Sequence, residues 1–274
     1  MARLQRELAA GIAIPLVLGV LYFAPPIAFD LLVAAVTLAA LYEFLRLAER
    51  MGHPVSKTVA VGGGAAVLLG WSAFWGVGGT PDRHGLTVAA VLTLAVGALA
   101  AIAPLFSGVD PGAALGSAAA TFYGVFAVAL PATALCALRN FSPGAVLFLF
   151  LIVWGCDSFA YYGGRALGRR PLAPVVSPKK TWEGAVAGLL GATLVGAAAG
   201  AWKVLPELGP ARGALAGALA STAGQIGDLV ESLWKRGAGV KDSGVFLPGH
   251  GGFYDRIDSL LFAGPVLAIL IAAI

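Results

Sequence analysis

Nine stretches of roughly twenty apolar residues, separated by short polar joints, leave this chain few architectures, because crossing a hydrocarbon core of about 30 Å takes about 20 residues of α-helix. Inside a bilayer no water is available to satisfy backbone amides, so each crossing segment must bond to itself. The runs are Leu8 to Ala24, Ile27 to Leu45, Val59 to Gly76, Leu86 to Phe106, Ala118 to Leu138, Ala145 to Gly164, Gly184 to Val204, Ala211 to Leu233 and Ile257 to Ile274. The expected fold class is all-α, a polytopic integral membrane protein with about nine transmembrane helices. Composition agrees: 59% of residues are hydrophobic, 12% are charged and the mean hydropathy is +0.87, too apolar for a water-soluble globule.

Orientation follows from the basic residues, which collect in cytoplasmic loops. With the N-terminus cytoplasmic, the inner segments hold Arg3, Arg6, Arg46, Arg50, Lys57, Arg165, Arg169, Arg170, Lys179, Lys180, Lys235, Arg236, Lys241 and Arg256, which is 14 of the 18 Lys and Arg. Arg83, Arg139, Lys203 and Arg212 are left outside. The net charge of +4 arises from these membrane-end residues and gives no reason to expect a nucleic-acid partner. The first apolar run is long enough to span, and no small-residue cleavage site is followed by a soluble mature domain, so it is expected to stay. Cys136 and Cys156 lie in apolar runs without ligand-spaced neighbours and read as packing residues.

The chain has two textures. Through residue 140 the joints are short, and the intramembrane acids, Asp30 and Glu43, fall near span ends where they reach headgroups. This half is expected to embed, scaffold or make oligomer contacts. Tyr22, Tyr42, Trp71 and Trp75 suit an aromatic belt, and Gly62, Gly63 and Gly64 suit close helix packing. From residue 141 onward acids enter the spans and the joints lengthen, so chemistry is expected there.

Charge is densest from Ser232 to Ser259, which holds Lys235, Arg236, Lys241, Asp242, His250, Asp255, Arg256 and Asp258. Its six glycines and one proline forbid a long helix through the middle. Backbone that turns so sharply leaves N–H groups free to face a ligand, and with this charge the ligand is a polyanion. His250 lies between glycines that let imidazole and backbone approach together, as in a contact to phosphate or leaving group.

Three further groups point the same way. Asp157, in W-G-C-D-S-F-A-Y-Y-G-G-R, sits about 16 Å along a helix from Arg169, a depth at which an acid needs a partner or a function. The loop Leu172 to Gly184 carries Ser177, Lys179, Lys180 and Thr181; Pro178 is expected to hold the turn, the lysines to contact phosphate, and Thr181 to begin the next helix, whose N-terminus favours anions. Ser221, Gln225, Asp228, Ser232 and Lys235 fall on one helical stripe, with Glu231 beside it and in reach of Lys235. A stripe of this kind could equally line a channel. Asp255 and Asp258 share one helical face and, with Asp228, make an all-oxygen set suited to Mg²⁺. Asp228 and Asp255 are the first choice as metal ligands, Asp157 and Asp258 the next, with a second cation as an option and a structural pairing of Asp258 with Arg256 or Lys235 left open.

The order S-x-x-K-R, four residues, K-D, then P-G-H-G-G-x-x-D-R-x-D-S resembles the motif of the phosphatidate cytidylyltransferases, the CDP-diacylglycerol synthases. It is filled here by Ser232, Lys235, Arg236, Lys241, Asp242, His250, Gly251, Gly252, Asp255, Arg256 and Asp258. The family also carries an Asp-Ser pair followed by aromatics and Gly-Arg, matched at Asp157 to Arg165, and an S-P-x-K-T-x-E-G element, matched at Ser177 to Gly184. By motif the resemblance covers residues 154 to 259. It implies transfer of the cytidylyl group of CTP to phosphatidate in the bilayer, giving CDP-diacylglycerol and pyrophosphate, with Mg²⁺ as cofactor. Lys241, Asp242, His250 and Arg256 would be catalytic. Ser177, Lys179, Lys180, Thr181, Ser232, Lys235, Arg236, Gly251 and Gly252 would bind substrates. The expected setting is a bacterial inner membrane with the site facing the cytoplasm, and a homodimer is among the partners considered. The rival readings are a CTP-dependent polyprenol or phytol kinase and a cation-coupled transporter. The transporter predicts polar residues continuing to the far side, where these spans turn apolar.

Overall fold

Proline and short polar side chains set where the helices of this chain begin. Pro26, Pro111 and Pro143 occupy first helical positions, where the missing N–H costs nothing. Asp110 accepts from the Gly112 amide at 2.9 Å, Ser142 from Ala145 at 3.1 Å and Thr181 from Gly184 at 3.1 Å, each satisfying an orphan donor. The computed structural model describes residues 2–74, 83–244 and 251–273; side chains within 2–10, 12–13, 72–74, 83–87 and at 89 are not described. His250 and Trp75 lie outside the described residues.

The chain divides into two compact units, Met1–Phe141 with Gly237–Ile257, and Ser142–Arg236 with Asp258–Ile274. The first contains α1 (Ala2–Phe23), α2 (Pro26–Arg50), α3 (Lys57–Phe74), α4 (Arg83–Ile102), α5 (Pro111–Gly124) and α6 (Leu130–Phe141), the last two joined without a break by a π-helical turn at Val125–Ala129. One face of α2 is buried at helical spacing, through Phe29, Val33, Thr37, Leu41, Phe44 and Leu47. Gly63 and Gly64 let α3 approach closely: a Cβ at Gly63 would fall 2.6 Å from Val96, and one at Gly64 would fall 2.8 Å from Leu41. Gly62 has open space where its Cβ would be, so its expected packing role passes to its two neighbours. Asp30 is buried within this unit, which differs from the headgroup contact expected of it.

The second unit contains α7 (Pro143–Leu167), an antiparallel hairpin of β1 (Pro171–Ala173) and β2 (Ser177–Thr181), α8 (Trp182–Ala201) and α9 (Gly209–Gly237), together with most of α10 (Tyr254–Ala272). Small residues let these helices touch by their backbones. A Cβ at Gly188 would sit 3.0 Å from the Cys156 carbonyl oxygen of α7, one at Gly196 or Gly200 would strike carbonyl oxygens at the start of α9, and one at Gly227 would lie 2.8 Å from the Asp258 carbonyl of α10. Cys136 and Cys156 are both buried, and neither is in a disulfide.

Each of the nine apolar runs coincides with helix. Among the described residues four helical segments are long and apolar enough to cross a membrane, Pro26–Arg50, Pro111–Phe141, Pro143–Leu167 and Trp182–Ala201. The polar stripe dilutes α9, and acids and Arg256 stand at the head of α10. Large apolar side chains such as Leu94, Leu115, Leu190 and Leu194 are more than half exposed, a surface that suits lipid rather than water. The chain is a predominantly helical protein built for a membrane.

Candidate active site

The loop expected over Leu172 to Gly184 is the β1–β2 hairpin followed by the first residues of α8, which Thr181 caps as expected. Thr181 pairs with Pro171 and Ser177 with Ala173. The turn lies at residues 174–176, so Pro178 is inside β2, where an edge strand tolerates its missing donor. Glu183 fixes the hairpin to the helices that flank it: its Oε2 accepts from the Arg169 amide at 3.0 Å and the Arg170 amide at 3.2 Å. The Trp182 amide donates to the Arg170 carbonyl at 3.0 Å. Arg236, near the end of α9, donates through Nε to the Val176 carbonyl at 3.2 Å.

The hairpin forms one wall of a cleft of about 480 Å³ within this unit. Ser177, Lys179, Lys180 and Thr181 line that wall; Asp157, Tyr161 and Arg165 come from α7, and Gln225 and Asp228 from α9. Thus one cavity gathers Asp157, the two-lysine strand and two residues of the polar stripe, Gln225 and Asp228. Lys180 Nζ is paired with Asp228 Oδ2, and both side chains remain about one-third exposed, open to exchange of partners. Gln225 Nε2 donates to the Ala185 carbonyl at 3.3 Å, bracing α9 against α8 beside the cleft.

One turn further along α9 the acids gather. Carboxylate oxygens of Asp228, Glu231 and Asp258 all lie within 4.8 Å of one another. Glu231 is 1% exposed and is paired with Lys235 at 2.5 Å, as its i,i+4 spacing implies. Ser232 is buried beside it. Oxygens bound to one Mg²⁺ stand about 3–4 Å apart, since each bond is 2.0–2.1 Å, so side-chain rotation that draws this trio together would let it share an ion. Glu231 as a third member was not foreseen; its pairing with Lys235 accounted for it on sequence alone.

The remaining motif residues belong to the first unit. Asp255 Oδ2 accepts from the Ser243 amide at 3.0 Å, the Ser243 hydroxyl at 2.9 Å and the Gly252 amide at 2.6 Å. Gly251 has φ +73°, a backbone that favours glycine. Lys241, Asp242 and Arg256 are exposed. Glu43, expected to meet headgroups, is a hydrogen-bonding partner of this segment: its Oε2 accepts from the Ser243 hydroxyl and the Tyr254 amide, both at 2.9 Å.

Residues 4–274 match the model of the cytidylyltransferase family. A phosphatidate cytidylyltransferase of Brucella abortus is 46% identical over 155 residues, covering 53% of this chain and 54% of that protein. Those of Pseudomonas aeruginosa (42% over 130 residues, 47% of this chain and 48% of that protein) and Staphylococcus saprophyticus (44% over 137 residues, 47% and 49%) are similar in extent. The chain spans about half the length of the curated relatives it matches. With the family model running along nearly the whole sequence, the chain belongs to the cytidylyltransferase family.

Proposed function

We propose that this protein transfers the cytidylyl group of CTP to phosphatidate, giving CDP-diacylglycerol and pyrophosphate, at the cytoplasmic face of a bacterial inner membrane. The observation that carries the reading is the cleft in which Lys179 and Lys180 face Asp157 and Asp228, next to a three-carboxylate group, in a chain of this family. The relatives named above are phosphatidate cytidylyltransferases, which supplies the lipid substrate.

A phosphatidate oxygen attacks the α-phosphorus of CTP, and the bond to the β-phosphate oxygen breaks. An ionised phosphate is already a nucleophile, so the chain's work is alignment and charge neutralisation. Lys179 and Lys180 bind the polyphosphate, and Lys180 leaves Asp228 to do so. Asp228, Glu231 and Asp258 are the residues that would hold Mg²⁺. The motif implies that Asp255 and Asp157 also serve as metal ligands, with a second cation as an option. The ion's chemistry is to offset the charge that builds up on the departing pyrophosphate. Lys235, Arg236 and Lys241 hold lipid phosphate and pyrophosphate, while Asp242, His250 and Arg256 complete the catalytic set that the motif implies.

The test uses purified protein in detergent with phosphatidate, Mg²⁺ and CTP labelled at the α- or γ-phosphate. Lipid should acquire the α-label and lose it in Asp228→Asn. Appearance of the γ-label would instead make the protein a lipid kinase, and absence of both would remove the enzyme reading.

A further inference from the structure

Glu43 belongs to α2, far in sequence from every motif residue, yet the segment that carries the motif closes around its carboxylate. The Tyr254 amide donates to Oε2 at 2.9 Å, and the Ser243 hydroxyl lies 2.9 Å from both Glu43 Oε2 and Asp255 Oδ2, bridging the two carboxylates with its single proton. The Ser243 amide adds a bond to Asp255 Oδ2 at 3.0 Å. Two glycines beside it, Gly244 and the motif's Gly252, are accounted for by the same contact. A Cβ on Gly244 would collide with Glu43 Oε1, and one on Gly252 with Glu43 Oε2 and Ser243 Oγ. Gly244 has no left-handed backbone angle to account for it; the space it leaves is occupied by Glu43. Next to Glu43, Phe44 packs edge-on against Tyr254, with ring centroids 6.0 Å apart.

We infer that Glu43 is a positioning residue for the reaction, acting through Ser243 and the Tyr254 amide to set the orientation of Asp255. This assigns a part of the chemistry to the N-terminal helices and rests on the proposed function, in which Asp255 serves the metal. A carboxylate that orients another ligand commonly changes activity or metal affinity by about 10- to 100-fold when removed.

The experiment compares Glu43→Leu, Glu43→Gln, Ser243→Ala and the Glu43→Leu/Ser243→Ala double variant with the parent protein. It measures kcat, KM for CTP, and the rise in thermal midpoint on adding Mg²⁺, a binding readout independent of turnover. Glu43→Leu is expected to lower kcat about tenfold or more and to shrink the Mg²⁺-induced rise, with KM for CTP little changed. Glu43→Gln, whose carbonyl oxygen can accept both donors, should recover most of the loss. The double variant should be no worse than the poorer single variant. The inference is overturned if Glu43→Leu or Ser243→Ala keeps the parent's kcat and Mg²⁺ response, or if Glu43→Gln falls as far as Glu43→Leu. It is also overturned if the two losses simply add. Should Glu43→Leu not fold, Glu43→Gln and Ser243→Ala decide by the same criteria. A parent protein with no α-label transfer would be a failure of the proposed function instead.

Discussion

Lys180 and Lys235 each stand against an acid of the same helix, α9, but in different surroundings, and that difference separates their roles. Lys180 and Asp228 are both about one-third exposed at the cleft, where an ion pair contributes little and can be exchanged for phosphate. Lys180→Ala is therefore expected to leave the thermal midpoint within a degree or two of the parent. It should lower kcat/KM for CTP by at least about tenfold, as loss of a charged donor to a phosphoryl group does. Lys180→Arg, whose planar fork differs from an ammonium, should fall between the two; steady-state kinetics at varied CTP checks both. Lys235 is 13% exposed and its partner Glu231 is 1% exposed. Removing one partner of so buried a pair costs about 3–5 kcal/mol. Lys235→Met should thus melt well below the parent in detergent, and adding Glu231→Gln should restore much of the loss. The pair between Lys235 and Glu231 was legible from spacing. The grouping of Asp258 with Asp228 was expected from the acids themselves, but the contact that allows it was not legible: Gly227 lets α10 come within contact of α9, which no count along the chain reveals.

Among the elements, the helices were legible because burial in lipid demands long apolar runs, and each run became a helix. The hairpin was hidden. Its strands are short, contain Pro171 and Pro178, and show no alternation of apolar and polar residues, since their order comes from Glu183 and the Arg170 carbonyl rather than from a buried face. The glycines likewise look alike in sequence and differ in the fold. Gly196 meets the backbone of Gly213, which cannot rotate out of the way, whereas Gly62 faces open space. Gly196→Ala is therefore expected to separate α8 from α9 at a cost of about 1–3 kcal/mol, read as a fall of several degrees in the thermal midpoint. Gly62→Ala should leave it unchanged or slightly higher, since alanine is the better helix former by about 1 kcal/mol. Equal effects at the two positions would mean that backbone contact between α8 and α9 is not what holds that part of the second unit together.

For the whole molecule the chemistry imposes a condition on topology that can be checked without an activity assay. Under the proposed function the donor is CTP, a cytoplasmic solute, so the strand bearing Lys179 and Lys180 is expected to open to the cytoplasm. With 14 of the 18 basic residues on one side under the proposed nine-span arrangement, the bias of Lys and Arg puts that strand inside. The arrangement makes definite claims at four joints. Reporters that are active only outside the inner membrane should be silent when fused after residue 52 or residue 170. They should be active when fused after residue 141 or after residue 274. An odd number of spans is what places the two chain ends on opposite sides, so the pair of results at residues 170 and 274 tests α8, α9 and α10 together. A signal after residue 170 would put the lysine strand outside, away from any CTP. In that event cytidylyl transfer from a cytoplasmic donor would not be physically available to the cleft.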